Sequence, residues 1–304
     1  MQKLLVICGP TGTGKTDLAL TLAKKFDGEL VSADSRQVYT GMDIGTGKGA
    51  RPKGGWVVNG TPIHLYDIRK PNEKFSLAEY QQLALEKINE IHSTGKLPIL
   101  VGGTGLYIQA VTEGLNIPKF PPDQKLRGKL ESRELPDLLS ELEKVDPDYF
   151  EAVDKNNKRR VVRALEVFHQ SGEPFSKLRS KYKVDFDILK VGLTSDREEL
   201  YSRNDKRVEQ WFEEGFVEEV KKLLKDYSPN LPAMTSLGYR QVAAYIKGSL
   251  GSEEAKQRIK FDYHGYIRRQ LTWFKRDSSI YWYEIKSDNL VEDTEDLVAE
   301  WLKK

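Results

Sequence analysis

A glycine-rich loop at residues 9–16, Gly-Pro-Thr-Gly-Thr-Gly-Lys-Thr, constrains the fold of this chain more than any other stretch. It follows an apolar run at 4–8 and precedes a helical pattern at 16–26. In such a loop, glycines let successive backbone N–H groups turn toward one anion, and the helix that follows adds the positive end of its dipole. The pattern G-x-x-x-x-G-K-[ST] between strand and helix therefore predicts a polyphosphate site at the edge of a parallel α/β sheet.

All eight loop residues are expected to bind phosphate, namely Gly9, Pro10, Thr11, Gly12, Thr13, Gly14, Lys15 and Thr16. Lys15 is expected to place its charge on the outer phosphate, and the Thr16 hydroxyl is expected to be a ligand of Mg²⁺. The loop indicates a polyphosphate without identifying it as ATP.

An acidic residue beside the metal usually completes the site of a P-loop ATPase. The strand predicted at 99–101 leads into Gly102 and Gly103 and supplies no carboxylate there. Asp34, which follows the strand predicted at 30–32, is the comparable acid. The pattern leaves open whether Asp34 serves the metal or an acceptor substrate.

The first hundred or so residues alternate short apolar runs with helical patterns, which indicates a parallel sheet covered by helices on both faces. Capping boxes predict where two helices begin. One is formed by Ser76 with Glu79, and the other by Ser195 with Glu198.

From about residue 116 the chain becomes charged, helix-rich and poor in strands, and strand character returns after about residue 187. We therefore predict a P-loop NTPase-like α/β fold in two parts. Residues 1–115 and 187–304 form a parallel-sheet core with a helical C-terminal region, and residues 116–186 form an inserted helical module.

The composition excludes several kinds of site. Cys8 is the only cysteine, which excludes a disulfide framework and a cysteine-built zinc site and fits a reducing cytoplasm. No segment approaches the ~18 apolar residues that a membrane helix needs. The net charge is only +2, so nucleic-acid binding has to rest on local clusters of cations. We expect a cytoplasmic monomer without membrane association.

Two local clusters of this kind are present. Residues 155–163 contain five cations, of which Arg159, Arg160 and Arg163 share a helix face suited to phosphates. The helix predicted at 252–276 mixes cations with aromatic residues, the combination that binds single-stranded RNA. Most of those aromatic side chains are expected in the core, so the arginines carry the prediction of an RNA-binding face.

A series of blocks in the same order over nearly the whole chain resembles the bacterial-type tRNA dimethylallyltransferases. The blocks are Asp-Ser-Arg-Gln-Val-Tyr at 34–39, Gly-Met-Asp-Ile-Gly-Thr at 41–46, His-Leu-Tyr-Asp-Ile at 64–68, Phe-Ser at 75–76, Val-Gly-Gly-Thr-Gly-Leu-Tyr at 101–107, Arg-Arg-Val-Val-Arg-Ala-Leu-Glu-Val at 159–167, Gly-Phe at 215–216, Gly-Tyr-Arg-Gln at 238–241 and Arg-Gln-Leu-Thr-Trp-Phe at 269–274. One departure is Asn204, where an apolar residue is common in relatives.

The resemblance implies a Mg²⁺-dependent transfer of the dimethylallyl group from dimethylallyl diphosphate to tRNA. The acceptor would be the exocyclic amine of the adenine 3′ of the anticodon, in tRNAs that read codons beginning with U. That amine is a poor nucleophile, so the reaction needs cations already in place around the departing diphosphate. The adenine must also leave the stacked anticodon loop, which requires a grip on the rest of the anticodon stem-loop.

The resemblance also implies roles for individual residues. Asp34 is the expected general base, Lys15 and Arg207 the expected cations on the diphosphate, and Thr104 the expected contact to the target nucleotide. The implied tRNA-binding residues are Asp34, Ser35, Arg36, Gln37, Thr104, Arg127, Arg159, Arg160, Val161, Val162, Arg163, Gly238, Tyr239, Arg240, Arg268, Arg269, Gln270, Thr272 and Trp273.

Three other functions share part of this pattern. A P-loop kinase acting on a small molecule or nucleoside would use the loop and Asp34 with ATP, but it would not need the basic clusters. A prenyltransferase acting on free adenosine phosphates would not need them either. An NTP-dependent RNA-binding switch would need a nucleotide-sensing acid where Gly102 and Gly103 stand.

Overall fold

The computed structural model describes residues 1–49, 55–118 and 120–304. These residues divide into two compact units. One unit is formed by Met1–Thr112 together with Asp185–Lys304, and the other by Glu113–Val184. The sequence pattern puts the corresponding inserted module at 116–186.

Within the described residues, the strands of the first unit are β1 (Gln2–Cys8), β2 (Gly28–Ser32), β3 (Val57–Val58), β4 (Thr61–His64), β5 (Leu97–Gly102), β6 (Phe186–Thr194) and β7 (Ile280–Glu284). They form one sheet in the order β3-β4-β2-β5-β1-β6-β7. Neighbouring strands are parallel except β3 and β4, which are antiparallel. The predicted parallel α/β sheet is confirmed, while β3, β4 and β7 had no prediction.

The helices of the first unit are α1 (Lys15–Lys25), α2 (Leu77–Ser93), α3 (Gly105–Thr112), α9 (Arg197–Glu213), α10 (Phe216–Asp226), α11 (Tyr239–Ile246), α12 (Ser252–Phe274) and α13 (Leu290–Lys303). The helices of the second unit are α4 (Gln124–Glu131), α5 (Leu135–Val145), α6 (Pro147–Ala152), α7 (Lys158–Ser171) and α8 (Phe175–Leu178). No β-strand is assigned among the described residues of the second unit.

Strand β1 shows why the sheet has helices on both faces. Alternate side chains of a strand point to opposite faces, and the whole apolar run of β1 is buried. Leu5 and Ile7 pack in a cluster with residues of α1 and α13. Leu4 and Val6 pack in a second cluster with residues of α2 and α3. Because both faces are covered, the polar groups of the strands are accessible at the carboxyl edge, where parallel α/β folds bind ligands.

The two predicted capping boxes have different outcomes. Ser76 caps α2, and its hydroxyl and the Glu79 carboxylate bind each other's backbone N–H groups, so the first prediction is confirmed. The second is wrong by one residue. Asp196, rather than Ser195, caps α9 by accepting a hydrogen bond from the N–H of Glu199. Aspartate and serine are about equally favoured as N-caps, so the sequence pattern did not distinguish Asp196 from the adjacent Ser195.

In the described ranges, no helix combines the length and the apolarity that crossing a bilayer requires.

Candidate functional site

The glycine-rich loop lies between β1 and α1, at the carboxyl edge of the sheet. Gly12 and Gly14 have φ values of 84° and 78°, in the left-handed region that favours glycine. At Gly9 a Cβ would collide with the carbonyl oxygen of Leu193 on β6. The glycines are therefore required by the loop's path and by its close approach to the neighbouring strand.

Lys15 extends back over this loop from the first turn of α1. Its Nζ donates a hydrogen bond to the carbonyl oxygen of Pro10 at 2.6 Å. Burial lowers the pKa of Lys15 to about 8. The charge of Asp34 opposes this shift, and that of Arg207 adds to it. The charges of Asp34 and Arg207 are thus close enough to Lys15 to influence its protonation.

Asp34 follows β2 and uses one of its two carboxylate oxygens to hold its own turn. Its Oδ1 accepts from the N–H of Arg36 at 2.8 Å and from that of Gln37 at 3.4 Å. Its Oδ2 has no hydrogen-bond partner among the described residues. The carboxylate therefore caps a turn and still has one oxygen available to a substrate.

Thr104 follows β5, the strand next to β2, and is tied to the same turn. Its hydroxyl accepts from the N–H of Ser35 at 3.1 Å, and its own N–H donates to the carbonyl oxygen of Ala33 at 3.1 Å. These bonds fix Thr104 beside Asp34. The structure thus brings together the two residues that the family resemblance assigns to the acceptor.

Arg207 projects from α9 against the loop at 43–47. Its guanidinium lies 5.3 Å from the centre of the Trp211 ring, and a Cβ at Gly47 would collide with it. Stacking on an indole limits the motion of the guanidinium and leaves its charge in place. The predicted second cation is therefore held near Lys15 by packing.

Glu219 anchors that loop, and the sequence analysis missed it. Its Oε2 accepts from the N–H groups of Asp43 at 3.0 Å and Ile44 at 2.8 Å, and its Oε1 accepts from the Tyr239 hydroxyl at 2.6 Å. Burial raises the pKa of the Glu219 carboxyl. No sequence signal separates Glu219 from the exposed Glu218 beside it, since both lie in the first turn of α10.

The charge of Asp34 influences several tyrosines, among them Tyr66, Tyr263 and Tyr266. Burial raises the pKa of the Tyr66, Tyr263 and Tyr266 phenols, and the negative charge of Asp34 raises them further. Neutral aromatic rings beside a carboxylate and two cations provide an environment that suits an apolar substrate group attached to a diphosphate.

Several residues of the expected tRNA-binding set have buried side chains in this structure, so their assignment to tRNA binding stays a prediction. Val161 and Val162 are 0% and 2% exposed and pack in the core of the second unit. Tyr239 is fully buried with its hydroxyl on Glu219. Gln270 is 5% exposed and bonded at both ends of its amide. A motif in the sequence does not distinguish side chains that are exposed at the protein surface from side chains that are buried beneath it.

Most of the other members of that set in the first unit lie at or near its surface, whereas Gly238 is buried. Arg36, Arg240, Arg268, Arg269 and Thr272 are exposed. Those with partial exposure are Ser35, Gln37 and Trp273. Gly238 precedes α11 with a φ of 85°.

The four arginines of the expected tRNA-binding set in the second unit are held in two ways. Arg127 and Arg163 bind one carboxylate oxygen of Glu166, at 2.6 Å and 2.7 Å, and Glu166 is 0% exposed. Arg159 and Arg160 are exposed and have no ion-pair partner among the described residues. Only the second pair has a charge that is not already compensated by a buried acid.

Thr16 fits the expected ligand of a magnesium ion. Mg²⁺ commonly takes one or two protein ligands and completes its shell with phosphate oxygens and water. Thr16 follows Lys15 directly and is half-buried in the first turn of α1. In the part of the chain that the structure describes, no group of three or more His, Cys, Asp or Glu side chains is arranged to hold a metal ion.

Comparison with known proteins gives matches along the whole chain. The profile of the IPP transferase family matches residues 37–277. The chain is 44% identical to the tRNA dimethylallyltransferase of Thermomicrobium roseum, over 100% of this chain and 92% of the relative. It is also 44% identical to tRNA dimethylallyltransferase 2 of Geotalea uraniireducens, over 93% of this chain and 92% of the relative.

The solved structures that are similar to this one include two transferases. The full-length tRNA isopentenylpyrophosphate transferase of Bacillus halodurans gives a TM-score of 0.74 at 37% identity, covering 100% of this chain and 97% of that chain. A eukaryotic dimethylallyltransferase acting on tRNA gives a TM-score of 0.81 at 28% identity, covering 99% of this chain and 78% of that chain. Sequence and fold therefore point to the same group of proteins.

Proposed function

The chain belongs to the IPP transferase family, and from this premise we propose that it is a tRNA dimethylallyltransferase. It transfers the dimethylallyl group of dimethylallyl diphosphate to the exocyclic amine of the adenine 3′ of the anticodon, in tRNAs that read codons beginning with U. The observation that carries the proposal is the grouping of two cations, Lys15 and Arg207, with the carboxylate of Asp34 at one edge of the sheet.

The cations act on the leaving group. As the C–O bond to the diphosphate breaks, negative charge grows on the departing oxygen, and donors already in place stabilise that charge most effectively. Lys15 and the N–H groups of the phosphate loop bind the diphosphate, and Arg207, held on Trp211, adds a second charge. The Thr16 hydroxyl would hold Mg²⁺, which would further neutralise the charge of the diphosphate.

Asp34 and Thr104 act on the acceptor. The adenine nitrogen forms a bond to the allylic carbon as the bond from that carbon to the diphosphate breaks. The nitrogen then loses a proton, which passes to Oδ2 of Asp34, the carboxylate oxygen that is not used in the turn. Thr104, hydrogen-bonded to the same turn at Ser35, orients the nucleotide. The neutral rings of Tyr66, Tyr263 and Tyr266 form an apolar wall for the dimethylallyl group.

The tRNA is held by exposed cations of both units, with Arg268 and Arg269 in the first and Arg159 and Arg160 in the second. Phosphate contacts of this kind position an RNA without reading its sequence. We further propose that the protein is a cytoplasmic monomer, which analytical ultracentrifugation and cell fractionation would test.

The direct test is incubation with dimethylallyl diphosphate, Mg²⁺ and unmodified tRNA, followed by digestion and mass analysis of the nucleosides. We expect one prenylated adenosine per tRNA, at the position 3′ of the anticodon. Two controls separate the alternatives. Transfer to free adenosine monophosphate instead of tRNA, or transfer of phosphate from ATP to a nucleoside, would contradict the proposal.

A further inference from the structure

One buried amide side chain joins the two loops that form the site. Gln270 lies on α12, and its Oε1 accepts a hydrogen bond from the N–H of Thr11 in the phosphate loop at 2.9 Å. Its Nε2 donates to the carbonyl oxygen of Gly103 at 2.8 Å. Both the oxygen and the nitrogen of the amide are thus hydrogen-bonded to backbone groups, and the side chain is only 5% exposed.

The two backbone partners belong to opposite sides of the proposed reaction. Thr11 lies in the loop that would bind the leaving diphosphate. Gly103 precedes Thr104, whose hydroxyl is bonded to Ser35 beside Asp34. Gln270 therefore links the leaving-group side to the acceptor side through a single rigid connection.

The contact with Gly103 is close. A Cβ at that position would collide with the Nε2 of Gln270, so glycine is needed there for the amide to reach the carbonyl group. The loop is held from a second side by Asn204 on α9. Its Nδ2 donates to the carbonyl oxygen of Thr11 at 3.4 Å. The backbone N–H and the carbonyl oxygen of Thr11 are therefore both held by buried amides, and of these two amides only that of Gln270 also reaches the second loop.

We propose that Gln270 is a positioning residue that sets the separation between the phosphate loop and the Thr104–Asp34 pair, rather than a residue that contacts tRNA. This inference rests on the proposed transferase function. Transfer requires the allylic carbon and the adenine nitrogen to be aligned, and a misplacement of about 1 Å costs roughly 10²-fold in rate. The amide acts through the two loops and touches neither substrate.

The first test is Gln270→Met, which keeps the length and apolar volume of the side chain and removes both hydrogen bonds. Its matched control is Gln257→Met on the exposed face of the same helix. We expect kcat of Gln270→Met to fall roughly 10²-fold, with the affinity for tRNA and its salt dependence unchanged. The control should match the unmodified chain. An unchanged kcat, or a weakened and less salt-dependent tRNA complex, would overturn the inference.

The second test is Gln270→Glu, with Gln257→Glu as its control, and it has a readout that a merely structural role would not produce. A carboxylate accepts from Thr11 but opposes the carbonyl oxygen of Gly103, whereas a protonated carboxyl donates to it as the amide does. We expect the kcat of Gln270→Glu, divided by that of the unmodified chain, to rise as pH falls from about 8 to about 6, because burial favours the neutral acid. A ratio independent of pH would contradict the inference.

Failure of the proposed function is distinguishable from failure of this inference. If the unmodified chain transfers no dimethylallyl group to tRNA, both are overturned. If the unmodified chain does transfer the group and the Gln270 variants behave as the Gln257 variants do, only the positioning role of Gln270 is overturned.

Discussion

The phosphate-loop region of the first unit and helix α7 of the second unit both carry clustered cations, but they hold them differently. Lys15 lies in a crowded site where burial lowers its pKa, and Arg207 is stacked on Trp211. On α7, Arg159 and Arg160 are exposed and unpaired among the described residues, whereas Arg163 is bound to the buried Glu166.

The difference indicates two uses of positive charge. Enclosed, oriented cations are worth most to a charge that develops during a reaction, because no solvent has to reorganise around them. Exposed cations gain from a polyanion mainly by releasing its counterions, which makes their contribution sensitive to salt. Changes in the first region should therefore alter the rate of transfer, and changes at the exposed pair should alter tRNA affinity.

The largest effect is expected for Lys15→Ala. Removing the cation proposed to stabilise the leaving diphosphate should cost ~3 kcal/mol or more of transition-state stabilisation and nearly abolish transfer. The affinity for tRNA should stay within a few-fold of normal, as measured by filter binding. Near-normal turnover would show that Lys15 and its phosphate loop do not take part in the transfer reaction.

Asp34→Asn tests the same region from the acceptor side. The amide keeps the shape and one acceptor oxygen but cannot take the proton, so kcat should fall by about 10²–10⁴-fold. The loss should persist when Mg²⁺ is raised to saturation. Recovery of activity in a Mg²⁺ titration would show instead that Asp34 serves the metal.

The arginines of the second unit offer a matched pair of double variants. Replacing Arg159 and Arg160 by alanine should weaken tRNA binding roughly tenfold and reduce its salt slope by roughly one unit per lost phosphate contact. The melting temperature should be unaffected, since these side chains are exposed and no described residue forms an ion pair with them. An unchanged tRNA affinity and salt slope would place the RNA-binding face elsewhere.

The second double variant replaces Arg127 and Arg163. It leaves Glu166 as an unpaired buried carboxylate, which typically costs about 3–5 kcal/mol of stability. We expect a marked fall in melting temperature for this variant. If both double variants changed only tRNA affinity, the distinction between bound and free arginines would be wrong.

The smallest effect is expected from pH. Burial lowers the pKa of Lys15 to about 8, so the ammonium group proposed to bind the diphosphate is present below that pH and is lost as pH rises through it. The KM for dimethylallyl diphosphate should rise by no more than about tenfold between about pH 7 and pH 9. The KM for tRNA, measured over the same range, provides the control. A KM for the diphosphate that does not change with pH would mean that Lys15 stays charged or does not bind it.

The site was predictable where a residue's role follows from its own local pattern. The phosphate loop is a contiguous motif, and Asp34 and Thr104 each follow a strand that the apolar runs reveal. The contacts of Glu219 and Gln270 were not predictable, because their partners lie far away in sequence. Glu219 accepts hydrogen bonds from backbone N–H groups at 43–45, and Gln270 is hydrogen-bonded to Thr11 and Gly103.

The same limit applies to the fold. The strands at the centre of the sheet were predicted because both of their faces are buried and their apolar runs are continuous. The edge strand β7 was missed because its residues are mostly exposed or half-buried, so its sequence lacks that signal. The motif at 159–167 puts Val161 and Val162 in the expected tRNA-binding set because it combines arginines on one side of α7 with core residues on the other.

The central claim is that this chain moves a dimethylallyl group, and not a phosphate, onto tRNA. It is tested most directly with dimethylallyl diphosphate that carries one label in the allylic carbons and another in the phosphates. The account predicts that the carbon label appears in tRNA at the adenine 3′ of the anticodon, and that all of the phosphate label appears as free diphosphate. Carbon label released as an alcohol, or either label recovered in a free nucleotide with none in tRNA, would contradict it.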